Sequence, residues 1–286
     1  MKKVIALLLA CVLAFAMVAC GSGEKPDVKG EGVMTYAEYA AAALDTEVTI
    51  EAYVQAKQGW WEKDGVGVAT IYTQDKEGAY FIYEMPISQD DYNKLTAGTK
   101  IKVKGFKGEW AGEVEIMDAT FEILDGNWVA TATEANAWLG TDELIKHQNE
   151  FVSFKGATIV ASTDANGAEA AFLYNWDGSG SQGNDVYFNA KIGENVYTFT
   201  IESYLTGADT EVYKAAEALA IGDVIDMEGF LYWYEGMNPH ITKISKGQLV
   251  LITEKLIHPG GLFFYRICSI PYFVGAIHES PANRKQ

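Results

Sequence analysis

Apolar and polar positions alternate in short runs through most of this 286-residue chain. Val48, Ile50, Ala52 and Val54 point one way while the residues between them point the other, the period-two signature of a half-buried strand. Residues 68–73 and 79–85 are two further strands joined by a turn that ends at Gly78, and 99–106 and 113–124 supply a fourth and fifth. Two stretches break the alternation. Residues 35–44 have helical composition, with Thr35 as N-cap and Glu38 placed for a capping box. Residues 88–95 read as a short helix with a Ser88 cap and an acidic first turn.

The second half repeats this order. Residues 133–139 and 142–147 read as brief helices and 151–160 as a first strand. A second strand is split between 170–174 and 186–190, and 196–202 is the third. A helix at 210–219 precedes strands at 223–230 and 240–244. One segment is nearly duplicated: Gly98-Thr-Lys-Ile-Lys-Val-Lys-Gly-Phe106 returns as Gly222-Asp-Val-Ile-Asp-Met-Glu-Gly-Phe230. Such a repeat predicts two similar small β domains in tandem. Its inward positions stay apolar (Ile101 and Val103, Ile225 and Met227), whereas Lys102 and Lys104 give way to Asp226 and Glu228.

The order strand, strand, strand, helix, strand, strand resembles the OB-fold, a five-stranded Greek-key barrel. The expected fold is therefore mainly β with short helices, as two tandem OB-fold-like barrels. Their expected bounds are 33–128 and 129–246.

The ends read differently. Lys2 and Lys3, an apolar run from Val4 to Val18 and a small residue before Cys20 make an export signal over 1–20. Ala16-Met-Val-Ala-Cys20 resembles a bacterial lipobox, which implies that Cys20 is lipidated. Residues 21–32 are a Gly-rich tether. The whole resembles a family of Firmicute-type bacterial surface lipoproteins with tandem OB-like domains. That resemblance implies an extracytoplasmic, lipid-anchored address and no assigned activity. From 247 to 286 the composition shifts: both Arg, three of six Pro and two of four His lie there, with no Asp or Trp. We read this tail as atypical and outside the evolved fold.

Between the ends the balance is acidic, with 16 Lys against 37 Asp and Glu over 21–246, a net −21. Single-strand binders combine aromatic platforms with basic grooves. This charge disfavours nucleic acid, although Lys100, Lys102, Lys104 and Lys107 form a local basic row.

OB-fold ligands meet strands two and three and the loops joining strands one to two and four to five. In the first copy those regions hold Trp60, Trp61 and Trp110, with Tyr72, Tyr80 and Tyr83 on the neighbouring sheet. In the second copy they hold Tyr232, Trp233, Tyr234, Glu235 and Asn238, with His240 at the end of the loop. Trp and Tyr rings stack on flat or sugar ligands while adjacent polar groups orient them. A lone His beside aromatics reads as a hydrogen-bonded structural residue. The segment 177–185 alternates oxygen-bearing side chains but lacks the acidic density of a calcium loop, so it reads as a Gly/Ser turn. No catalytic motif, metal spacing or cofactor loop stands out, and no enzyme activity is expected.

The leading expectation is thus a lipid-anchored binding or scaffolding protein whose aromatic loops hold a saccharide, peptide or protein partner. Single-stranded nucleic-acid binding is the alternative, followed by a structural envelope protein without a small ligand.

Overall fold

The computed structural model describes residues 29–247, 251–257 and 263–269. The export signal, Cys20 and most of the tether lie outside the described residues.

The first unit opens with helix α1 (Tyr36–Ala41). Thr35 caps it as its sequence requires. Its hydroxyl accepts from the Glu38 N–H, and the Glu38 carboxylate accepts from the Thr35 N–H. The helix stops short of residue 44 because Lys107 closes its end. Lys107 Nζ donates to the carbonyls of Tyr39, Ala40 and Ala42 at 2.9–3.0 Å. Strands β1 (Glu47–Lys57), β2 (Trp61–Lys63), β3 (Val66–Gln74) and β4 (Ala79–Pro86) follow. Helix α2 (Gln89–Lys94), capped by Ser88, leads to β5 (Thr99–Trp110) and β6 (Glu113–Asn127). The sheet order is β1-β5-β6-β4-β3-β2, and β3 pairs back to β1. The result is barrel-like, with Ile50, Ile71, Ile82, Ile101, Val103 and Ile116 buried inside.

The second unit repeats the plan with a longer approach. It begins with β7 (Thr133–Glu134), then 3-10 turns at Asn136–Trp138 and Leu144–His147. The helix expected over 133–139 shrinks to the 3-10 turn at Asn136–Trp138 because Thr133 and Glu134 pair along the next strand, and the Ala135 N–H donates to Ser153 O. Strand β8 (Phe151–Val160) precedes the short strands β9 (Ser162–Thr163), β10 (Glu169–Ala170) and β11 (Leu173–Tyr174). The expected strand at 170–174 therefore divides: Ala170 pairs with Ser162, and Leu173 and Tyr174 pair with β12 (Val186–Ile192). Strand β13 (Asn195–Ile201), helix α3 (Glu211–Glu217), β14 (Val224–Phe230) and β15 (His240–Lys246) complete the unit. Strands β8, β14, β15, β13 and β12 close into a five-stranded barrel around Phe154, Phe188, Phe199, Ile225 and Met227. Both units thus have the OB-like order, with α2 and α3 in the same place. Strands β16 (Leu251–Ile257) and β17 (Phe263–Ser269) pair with each other.

The duplicated segment is the fourth barrel strand, β5 or β14, and its glycines are structural. Gly98 and Gly222 have φ of +89° and +96°, where a side chain would be strained. A Cβ at Gly105 would lie 2.6 Å from the Met117 carbonyl oxygen, and one at Gly229 would meet the His240 carbonyl. Three of the four alternate positions whose charge differs pair within their own barrel, Asp226 with Lys155 at 3.5 Å among them. Lys104 pairs with Glu47 at 3.0 Å, and Lys243 with Glu228 at 3.1 Å.

The two barrels meet face to face. Tyr72, Phe81 and Phe230 form a buried cluster across the junction, with Tyr72 and Phe230 ring centroids 4.6 Å apart. Polar groups fix the register. Asn149 Nδ2 and the Trp233 N–H donate to the two oxygens of Glu113, at 2.5 and 2.9 Å. Gln148 Nε2 donates to Gly112 O, and the Phe151 N–H to Gln74 Oε1, both at 2.8 Å.

Candidate functional site

The loops that carry ligands in OB-folds converge at this junction. Trp110 and Glu113 flank the hairpin between β5 and β6; residues 231–239 join β14 to β15 in the second barrel. These two loops clasp each other. The Glu235 N–H donates to Ala111 O at 2.7 Å, and the Trp110 and Tyr234 rings lie 5.1 Å apart. Ala111 and Glu235 both adopt left-handed backbone, at φ 52° and 54°. That conformation is uncommon for residues with a side chain, and such strain clusters at functional sites.

Beside this clasp runs an open cleft of about 700 Å³. Its walls are aromatic: Phe81, Tyr83 and Trp110 from the first barrel, Trp176, Tyr187, Tyr232 and Tyr234 from the second. Trp110 and Trp176 are the most exposed of these rings, at 57% and 76%. The polar lining comprises Gln58, Asp185, Glu202, Glu235, Asn238 and His240. Among the described residues, no Lys or Arg lines the cleft.

Most of the polar groups are already positioned. Glu202 accepts from the Tyr204 and Leu205 N–H groups and from Gln58 Nε2 at 2.9–3.2 Å. Burial, with the Asp185 charge adding to it, pushes the Glu202 carboxyl up to about 7. Asp185 Oδ1 accepts from the N–H and hydroxyl of Ser203 at 2.8 and 2.6 Å. Asn238 Oδ1 accepts from Thr200 Oγ1. His240 is buried, lies 2.7 Å from the Tyr72 hydroxyl through Nδ1, and stacks on Tyr232 at 4.2 Å. Burial lowers its pKa to about 3, so the ring is neutral. It has the structural role the sequence suggested. Glu235 differs from the other acids. Among the described residues its carboxylate has no hydrogen-bond or ion-pair partner, and the side chain is exposed.

Of the residues singled out from sequence, Tyr83, Trp110, Tyr232, Tyr234, Glu235 and Asn238 meet in this cleft. Others lie elsewhere. Trp60 turns into the first barrel, where its Nε1 donates to Ile87 O at 2.9 Å. Trp61 sits exposed on β2. Tyr80 is core, its hydroxyl donating to Asp75, and Tyr72 belongs to the junction. Trp233 lines a separate hollow on the other side of the junction, with Tyr36, Val114 and Ile145. Cys20 lies outside the described residues. Trp176, Tyr187, Asp185 and Glu202 were not singled out. The signal for Trp176 was available, since it stands in the loop equivalent to that of Trp60 and Trp61. The basic row does not form a groove: Lys100 pairs with Glu51 at 2.8 Å, Lys104 with Glu47, and Lys107 is buried against α1.

No protein-family model matches the chain, and no curated protein matches its sequence. Solved structures do. The HINa domain of Ifi202, in complex with double-stranded DNA, is 12% identical, with 72% of this chain and 98% of that one covered at a TM-score of 0.32. A replication protein A heterotrimer bound to single-stranded DNA is 10% identical, covering 71% and 51%, at a TM-score of 0.30. The single-stranded DNA binding protein from Thermus aquaticus is 14% identical, covering 71% and 94%, at a TM-score of 0.23. The likeness is one of fold, and no residue's role transfers with it. It nevertheless corrects two expectations. These three solved structures are described as bound to DNA or as a DNA binding protein, against the expectation from sequence that nucleic acid is disfavoured. The saccharide, peptide or protein partner placed first from sequence has no counterpart among these three.

Proposed function

We propose that this chain binds single-stranded nucleic acid by stacking unpaired bases in the cleft between its two OB-like barrels. The observation that carries this reading is the convergence of seven aromatic rings from both barrels on one open cleft. Every base has a π-face, so such a platform accepts a strand whatever its sequence, at about 1–3 kcal/mol per stacked base. A duplex buries those faces, so the partner is an unpaired strand.

The electrostatics make this binding unusual. Phosphate-dominated binding weakens steeply with salt because basic groups displace counterions. Here acids line the cleft, so stacking supplies the affinity and the phosphates face outward. Added salt screens repulsion between strand and cleft, and the affinity is flat or rises with salt.

The test is fluorescence anisotropy of dye-labelled short single-stranded oligonucleotides titrated with the chain at several salt concentrations. Trp110→Ala and Trp176→Ala should each weaken binding about tenfold, the effect of losing roughly 1.4 kcal/mol of stacking. Binding that survives both substitutions together would refute the cleft as the site.

Export and lipid attachment at Cys20 form a second part of the proposal, supported by the basic, apolar and lipobox-like residues at the start of the sequence. An N-terminal peptide found by mass spectrometry to begin at Met1 and lack acyl chains would remove it.

A further inference from the structure

We infer that Glu235 gives the cleft a preference for guanine among unpaired bases. The inference rests on the base-stacking reading and adds a specificity to it. Three observations place the residue. Glu235 lines the same cleft as Trp110 and Tyr234, and is adjacent in sequence to Tyr234. Its backbone is pinned by the N–H bond to Ala111 O of the opposite barrel, in a left-handed conformation that glycine would adopt more readily. Its carboxylate, alone among the cleft's three, is uncommitted among the described residues. Asp185 already accepts two hydrogen bonds on one oxygen, and Glu202 accepts three.

The chemistry then selects the base. An ionised carboxylate only accepts hydrogen bonds, and its two oxygens can take two parallel N–H donors. Guanine offers such a pair, its ring N1–H and exocyclic amino group on one edge. Cytosine and adenine offer a single amino group beside an acceptor nitrogen. Thymine and uracil present one N–H between two carbonyl oxygens, which a carboxylate repels. A guanine stacked at the Trp110–Tyr234 pair can thus turn its donor edge to Glu235. The same acidity that repels phosphate becomes the reader of the base.

The experiment uses the full chain and short thymidine oligonucleotides carrying one central guanine, cytosine, adenine or hypoxanthine, read by tryptophan quenching. Hypoxanthine keeps the ring N–H but lacks the amino group. The expected result is tightest binding for guanine, about tenfold over the all-thymine strand, the scale of one good bidentate pair. Hypoxanthine should lose most of that gain. Glu235→Gln should remove the guanine preference. Glu235→Gly removes the carboxylate at a backbone conformation that glycine adopts without strain, so a loss of preference in it cannot be assigned to added backbone strain. Equal affinities across the five strands, or a guanine preference that persists in both variants, would overturn the role of Glu235 while leaving base stacking intact. Absence of quenching by every strand would overturn the stacking reading and this inference with it.

Discussion

Replacing Glu113 with Gln should change how the barrel junction responds to alkali. Glu113 is fully buried between the barrels, and burial pushes its carboxyl up to about 9 against an ordinary 4.5. The folded state therefore holds a proton that the unfolded chain has released. Where the folded state binds more protons, stability falls as pH rises. For this group the fall begins above the unfolded value and ends near the folded one. Glu115 and Glu202, both raised to about 7 by burial, contribute to the same decline mainly below pH 8. Between pH 7 and 9 the slope is mainly that of Glu113, about 1.4 kcal/mol per unit, or roughly 2–3 kcal/mol over the window. Glu113→Gln has no proton to lose. Its urea midpoint should fall much less over that window than that of the wild-type chain. At pH 7 the variant keeps one acceptor for Asn149 or Trp233 and places an amino group against the other donor, so its absolute stability can lie below wild type. The comparison is therefore of slopes. Parallel stability curves for the two proteins from pH 7 to 9 would show that Glu113 is ionised in the fold, and the account of the junction would be wrong.

Three further outcomes are expected. Tyr72→Phe leaves the buried His240 Nδ1 without its 2.7 Å partner and should cost about 1–3 kcal/mol in urea unfolding, with little change in the fold. His240 titrates near 3 when folded and 6.5 when unfolded, so the unfolded state binds more protons between those values and stability should fall as pH drops through that range; His240→Gln should lose that component of acid sensitivity. Gly105→Ala drives a Cβ to 2.6 Å from a backbone carbonyl and should destabilise by about 1–3 kcal/mol, whereas Gly59→Ala, with open space around it, should be near neutral in the same thermal unfolding assay.

The barrels were legible because strand alternation and helix caps are local signals. Val48 to Val54, the Thr35 and Ser88 caps, and the duplicated fourth strand can each be read within a dozen residues. The junction was not, since it joins residues up to 168 positions apart, as with Tyr72 and His240. Trp60 and Trp61 show the limit on a small scale. Trp60 stands just before β2 and Trp61 opens it, so the two rings take different directions. The Ile87 carbonyl that receives the Trp60 N–H decides which turns inward. Half of the cleft was visible as aromatic loops. Trp176 was readable from its loop position, whereas Asp185 was hidden in a Gly-rich segment whose composition reads as a turn, and Glu202 at the end of a strand whose alternation accounts for it. Acidity was visible from composition, but its location was not. Whether it opposes a ligand or reads one depends on which carboxylates face the rings.

The clasp between the two loops makes the halves of this chain unequal heirs of one plan. Ala111 meets Glu235 and Trp110 meets Tyr234, equivalent positions of the repeat, but the Glu113 carboxyl's contacts with Trp233 and Asn149 run one way only. Two copies of the first barrel could not reproduce it, nor could two of the second. Severed in the stretch near residues 128–132, which carries no strand or helix, the halves should recognise each other and not themselves. Such a split pair would regain the cleft, and with it the tryptophan signal, only when both halves are mixed.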